Sequence, residues 1–280
     1  MEIQWYPGHM TKARRQMQED MKLIDLVIEL ADARIPMSSR NPDIDSLSRN
    51  KARMILLNKE DLADPEATAQ WMTYFRQQGY FVVPLDSRNR KSMKEVQNAI
   101  DQACARKIQR DLARGIKNRP VRAMVAGIPN VGKSTFINSF AGKAAAKTGN
   151  RPGVTKGKQW IRLNKNVELL DTPGILWPKF EDPHVGLCLA FIGSVKDELL
   201  QKEELAMELC KVLLEKYPGC LGARYGIAET KDLPGILTEV AQKRNCLIRG
   251  QELDYNKAAG LIMDDFRSGM LGRITLELPE

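Results

Sequence analysis

The chain reads as an α/β fold, a largely parallel sheet wrapped by helices and followed by a smaller, all-helical C-terminal part. Three observations point there. Short apolar runs alternate with amphipathic helical stretches up to about residue 178. Several of those runs are apolar at nearly every position, as strands buried on both faces are. Residues 183–267 then carry helical patterning almost without interruption, with turns at YPGC and DLPG.

Taken in order, residues 10–22 form a polar helix, and LIDLVIELADARIP is a buried strand ended by a turn at Pro36 and a polar loop. RMILLN is a second buried strand. Asp64-Pro65 opens a helix that stops at Gly79. YFVVPL is a third strand, and SMKEVQNAIDQACARKIQRDLARG one long helix ending at Gly115. VRAMVAG is a fourth strand, leading straight into a glycine-rich turn and the helix KSTFINSFAG. KQWIRLN and VELLDTPG pair as an antiparallel hairpin, and the tail GRITLEL is expected to be a short final strand. The expected domains are residues 1–178 and 179–280.

A chain of 280 residues with 43% hydrophobic content supports a substantial core. No apolar run approaches the ~18 residues of a membrane span, and the N-terminus lacks a signal segment. The five cysteines form no CxxC pair, which favours reduced core thiols in a cytoplasmic protein over a metal or disulfide framework. The formal charge of +8 is uneven: residues 1–174 carry 30 Lys and Arg against 18 Asp and Glu, and residues 175–280 carry 13 against 17. Residues 106–165 hold 15 basic side chains and a single acid, Asp111. One nucleotide cannot occupy so many cations, so an extended nucleic acid is the expected partner of that stretch.

GIPNVGKS, Gly127 to Ser134, fits GxxxxGK[ST] between a strand and a helix. Backbone N–H groups of Pro129's neighbours Asn130, Val131 and Gly132, and of Thr135 beyond, would line a phosphate cradle. Lys133 would meet the outer phosphates and Ser134 a Mg²⁺ ion. Asp171, 37 residues past Ser134, opens DTPG and can hold Mg²⁺ through a water, while the Gly174 N–H can reach a γ-phosphate. Thr155 in the intervening loop is suited to bind both Mg²⁺ and γ-phosphate, with Thr148 as the alternative.

NKED, Asn58 to Asp61, ends a buried strand. The Asp61 carboxylate can accept the N1–H and exocyclic amine of guanine, whereas adenine lacks that N1–H and leaves a lone pair unmatched. Asn58 can brace the cradle and the Lys59 stem can cover the base. Ser87, in PLDSRN after the next strand, is placed for a third contact, although the stretch departs from the usual Ser-Ala-Lys form.

The base-reading half precedes the phosphate half, so these motifs resemble a circularly permuted P-loop GTPase of the Ras-like translation-factor class. WYPGHM, DARIPMSSRNP, LLNKEDL, GIPNVGKST, RPGVT and LLDTPGILWPKF together resemble the bacterial ribosome biogenesis GTPase A family, from residue 3 to about 180 and more diffusely beyond. The resemblance implies GTP hydrolysis, an RNA-binding helical C-terminal domain, and as partners the 50S subunit precursor and its 23S rRNA. A monomer is expected. Permutation also makes the segment after DTPG, residues 175–183, run directly into the helical part, where it would act as a lever with Trp177 and Phe180 as anchors.

Many GTPases carry a water-orienting glutamine where this chain has Ile175, and the family replaces it with a hydrophobic residue. Catalysis must then borrow a polar group. His9 in YPGHM is the candidate, ahead of His184, with an arginine in cis or an RNA group as alternatives. Asn130 occupies the position that binds K⁺ in related cation-dependent GTPases; a turn-forming asparagine is the simpler role. The rival to an enzymatic switch is a nucleotide-responsive RNA scaffold with incidental hydrolysis. A tRNA-modification or transport GTPase fits less well, since no further catalytic domain or membrane span is evident.

Overall fold

In the computed structural model, residues 8–117, 119–142, 159–172, 174–177, 180–196 and 200–279 are described. Among the described residues six strands form one sheet: β1 (Leu26–Asp32), β2 (Ala52–Asn58), β3 (Phe81–Leu85), β4 (Val121–Gly127), β5 (Gln159–Arg162) and β6 (Val167–Asp171). Their order is β3-β2-β1-β4-β6-β5, all parallel except β5, which runs antiparallel to β6 at the edge. The chain moves outward from β1 to β3 and then returns to β4 on the other side of β1. That reversal opens a crevice beyond the carboxyl ends of β1 and β4, where ligands of such sheets bind.

Helices α1 (Gly8–Asp20), α2 (Pro42–Leu47), α3 (Pro65–Gln77), α4 (Ser92–Ala103), α5 (Ala105–Ala113) and α6 (Lys133–Ala141) accompany the strands. β1 is buried at every position, including Glu29, which Arg40 pairs, and Asp32 at its carboxyl end. Asp64 caps α3 by accepting from the N–H groups of Glu66 and Ala67, with Pro65 in the first turn. Against α3 lies a cluster of Ala31, Ile55, Leu57, Trp71, Phe75 and Val82.

The stretch expected to be one long helix is two. The chain changes direction at Cys104, and α5 turns beneath the sheet, where Lys107 donates to Pro120 O at 3.4 Å and pairs with Asp25 at 3.4 Å. The loop after Pro36 contains α2, whose six residues are too few to show a helical period in the sequence.

The C-terminal part holds α7 (Pro183–Phe191), α8 (Lys202–Lys216), α9 (Cys220–Tyr225), α10 (Leu233–Lys243) and α11 (Tyr255–Ser268), and shares a continuous apolar core with the sheet. The tail is not the strand expected. Ile274 N donates to Leu62 O, at the end of a 3-10 turn, and Leu276 N to Arg34 O, in a turn after β1, so neither bond belongs to a strand ladder. Side chains fix it instead: the Trp71 indole donates to Glu277 O, and the Glu277 carboxylate accepts from the N–H groups of Met37 and Ser38. All five cysteines are free thiols. Among the described residues no helix is long and apolar enough to cross a membrane.

Phe75 is fully buried and stacks on Trp71 at 5.4 Å between ring centroids. Phe75→Ala is expected to cost about 3–5 kcal/mol of stability, read as a fall in the urea midpoint.

Candidate nucleotide site

Strand register sets the stage. Asp32 lies beside Asn58, Asn58 beside Leu85, Leu30 beside Gly127, and Val125 beside Asp171. The ends of the parallel strands thus bring residues from both halves of the sequence to one edge.

On the phosphate side, β4 enters a turn that leads into α6. Gly127 has φ +154°, and a Cβ there would come within 2.7 Å of Leu30 O, so the strand end admits only glycine. Gly132 has φ +101°, and a Cβ would overlap the Asn58 amide nitrogen. The Lys133 ammonium folds back to donate to Gly127 O (3.1 Å) and Ile128 O (2.9 Å), closing the loop from within. Burial pushes its pKa down to about 8, partly opposed by Asp171. Ser134 and Thr135, in the first turn of α6, are half-buried.

Asp171 ends β6 and is buried, and burial raises its pKa to about 6 against the pull of Lys133. Among the described residues its Oδ1 has no hydrogen-bond partner. A buried, unpartnered carboxylate oxygen beside a phosphate loop is a fit acceptor for a hydrated cation. Thr172 Oγ1 donates to Val125 O at 2.7 Å and holds this strand end in place. Gly174 abuts the loop: a Cβ there would lie 2.8 Å from Lys133 Nζ and 2.9 Å from Pro129 N. Ile175, at the position of the missing glutamine, is buried, and its carbonyl accepts from Asn41 Nδ2 at 3.3 Å.

On the base side, Asn58 faces both halves. Its Nδ2 donates to Val131 O at 2.7 Å, and its Oδ1 accepts from Ser87 Oγ at 2.7 Å and Ser87 N at 3.2 Å. Lys59 takes a left-handed conformation (φ +59°) and sends its ammonium back to Asp32 Oδ2 at 2.8 Å. Asp61 sits in the turn Glu60–Leu62, paired with Arg88.

Asp32 and Arg34 carry no role in the sequence reading. The Arg34 guanidinium grips Asp32 through two 2.9 Å bonds and reaches the carbonyls of Phe266 and Arg267 at the end of α11. Burial alone would raise the Asp32 pKa, but Arg34 and Lys59 hold it far below the carboxylate range. The available signal was an acid and an arginine two positions apart at the end of a buried strand beside β2.

The phosphate loop also meets the helical part directly. Asn130 (φ +59°) donates from Nδ2 to Gly193 O at 2.6 Å, and Ser194 Oγ donates to Pro129 O at 2.7 Å. Trp177 packs edge-on to the buried Phe180. His184 is exposed on α7, with Nε2 3.4 Å from Cys188 Sγ. Thr155, Thr148 and the side chain of His9 lie outside the described residues.

A doubly wound sheet with a P-loop after β4 and an Asn-Lys-x-Asp turn after the earlier strand β2 defines a circularly permuted P-loop GTPase. The family described as 50S ribosome-binding GTPase matches residues 122–248. Ribosome biogenesis GTPase A of Bacillus cereus is 47% identical over 281 aligned residues, covering 100% of this chain and 95% of that protein. The Thermotoga maritima protein of that name is 31% identical, covering 99% and 95%. The chain belongs to the ribosome biogenesis GTPase A family. Among solved structures, GNP-bound YlqF from T. maritima matches with a TM-score of 0.67 and 28% identity, covering 96% of this chain and 99% of that one. A GDP-bound YlqF gives 0.68 and 27%, covering 95% and 99%.

A depressed carboxylate pKa contributes stability that is present above its unfolded value and lost as pH falls through the folded one. Wild-type stability should therefore fall on acidification below about pH 4. Asp32→Asn should be less stable at neutral pH and should flatten that acid limb, as read by denaturant titrations across pH.

Proposed function

We propose that this GTPase of ribosome assembly binds 23S rRNA in a late precursor of the 50S subunit and leaves it when GTP is hydrolysed. The observation that carries the reading is the Asn58 side chain, which bonds the phosphate loop and the base-side loop at once. The names of the relatives, the family description and the GDP- and GNP-bound YlqF structures support it.

In this reading residues 1–178 form the GTPase domain and residues 179–280 a helical domain that meets RNA or the ribosome. Asp61 reads guanine, Lys59 covers it, and Ser87 and Asn58 shape its pocket. The cradle from Gly127 to Thr135 holds the phosphates, with Gly174 at the γ-phosphate. Ser134, Asp171 and Thr155 would hold Mg²⁺, which when bound neutralises phosphate charge. The unpartnered Asp171 oxygen fits that assignment. Asn130 would add K⁺; because its amide already bonds Gly193 O, cation binding and the grip on the helical part would share one side chain.

A buried Ile175 cannot orient a water, so intrinsic turnover is slow and His9 positions the nucleophile once the particle orders the site. The same buried isoleucine is the observation that favours the second reading, a nucleotide-responsive scaffold whose hydrolysis is incidental. The protein acts as a cytoplasmic monomer.

GTP turnover should rise at least about 10-fold with 50S particles and be faster in K⁺ than in Na⁺. His9→Ala should abolish the stimulated rate while particle binding survives and assembly stalls; normal assembly would favour the scaffold. Asp61→Asn presents an amide donor that suits the extra carbonyl of xanthine. It should weaken GTP about 100-fold or more and improve XTP binding in calorimetric titrations.

A further inference from the structure

We propose that the outward face of α5 is a docking surface for an RNA phosphate backbone. The inference rests on the ribosomal reading above and deepens it by naming where the RNA lies. Arg106, Arg110 and Arg114 recur every four residues and are all exposed, and the exposed Lys117 follows. A step of four residues advances about 6 Å, so the three guanidiniums form a line about 12 Å long.

None of these four cations is ion-paired among the described residues. On the inward face, by contrast, Lys107 pairs with Asp25 and Asp111 at 3.4 and 3.3 Å. Asp111, the helix's one acid, is buried. The helix dipole favours cations in the last turn, which accounts for Arg110 and Arg114 but not for Arg106 in the first turn, where positive charge is unfavourable. Helix stability therefore does not explain the stripe.

The position of the face matters. Lys107 reaches Asp25, just before β1, and Pro120, just before β4. α5 therefore lies under the amino ends of the central strands, and the nucleotide edge is at their carboxyl ends. Seven-residue strands separate the two by about 20 Å. RNA held on α5 leaves the pocket open, so this contact supplies affinity that does not depend on the bound nucleotide. Regularly spaced guanidiniums suit a row of phosphates. Residues 175–280, with 13 basic against 17 acidic side chains, hold no such excess of cations, so α5 adds a phosphate contact to whatever the helical domain makes with RNA or the ribosome.

The test replaces Arg106, Arg110 and Arg114 together with Gln, which keeps helix propensity, and separately with Lys, which keeps charge. Binding to 50S subunits and to protein-free 23S rRNA is measured between about 50 and 200 mM salt, with intrinsic GTP turnover as the control for folding. The Gln variant should bind both more weakly, with the slope of log K against log salt shallower by about two to three. Over that fourfold salt range the difference is roughly 16- to 64-fold in affinity. The Lys variant should retain most of the binding, and turnover should be unchanged in both. A wild-type slope in the Gln variant overturns the α5 surface alone. Loss of 50S binding with unaltered 23S rRNA binding assigns the face to a ribosomal protein and overturns it too. If the wild type binds neither partner, the ribosomal reading fails and this proposal with it.

Discussion

One side chain ties the two halves of this permuted sequence into a single site. Asn58 ends β2, yet its amide nitrogen reaches Val131 in the phosphate loop, and its oxygen takes both the hydroxyl and the N–H of Ser87 after β3. Three buried polar groups are satisfied at once, and each would be costly to leave unpaired. Gly132 is held to glycine by the same side chain, because any Cβ would strike the Asn58 amide. The sequence order of the two loops is therefore immaterial to the pocket; what matters is that β2 and β4 flank β1 in the sheet.

A second set of contacts binds this site to the helical part without using the chain connection after Gly174. From Lys59 the path runs through Asp32 and Arg34 to the carbonyls of Phe266 and Arg267. Arg267 in turn donates to the carbonyls of Phe191 and Ala190 at the end of α7. Two residues on, Gly193 and Ser194 bond Asn130 and Pro129 in the phosphate loop. The base-side and phosphate-side loops are thus each bonded to the helical region, and the region is bonded to itself between them. A change at either loop alters contacts that the helices share, which is the physical requirement for coupling nucleotide state to their placement.

Much of this was legible in the sequence, for reasons that can be named. β1, β2 and β4 are buried on both faces, so they appear as apolar runs, and the loops at their ends carry residue types that phosphate and guanine chemistry demands. Asn58, Lys133, Asp171 and Gly174 fall at those ends. What could not be read depends on tertiary partners. Arg34 and Arg267 are 233 positions apart, and neither looks special alone. The tail alternates like a strand, but its neighbours at Leu62 and Arg34 lie in a 3-10 turn and a loop turn and offer no ladder. The break at Cys104 follows from where α5 must reach, towards Asp25 and Pro120, and local propensity does not contain that information.

The account stands on Asn58 holding the phosphate loop in its nucleotide-ready shape from the opposite half of the chain. The most direct measurement is amide hydrogen exchange across residues 128–135 of Asn58→Ala, read together with its GDP affinity. The account predicts faster exchange in that loop and at least about a 10-fold weaker affinity, equivalent to one buried hydrogen bond of about 1.4 kcal/mol or more. Unchanged exchange and unchanged affinity would show that the loop keeps its shape unaided, and would contradict it.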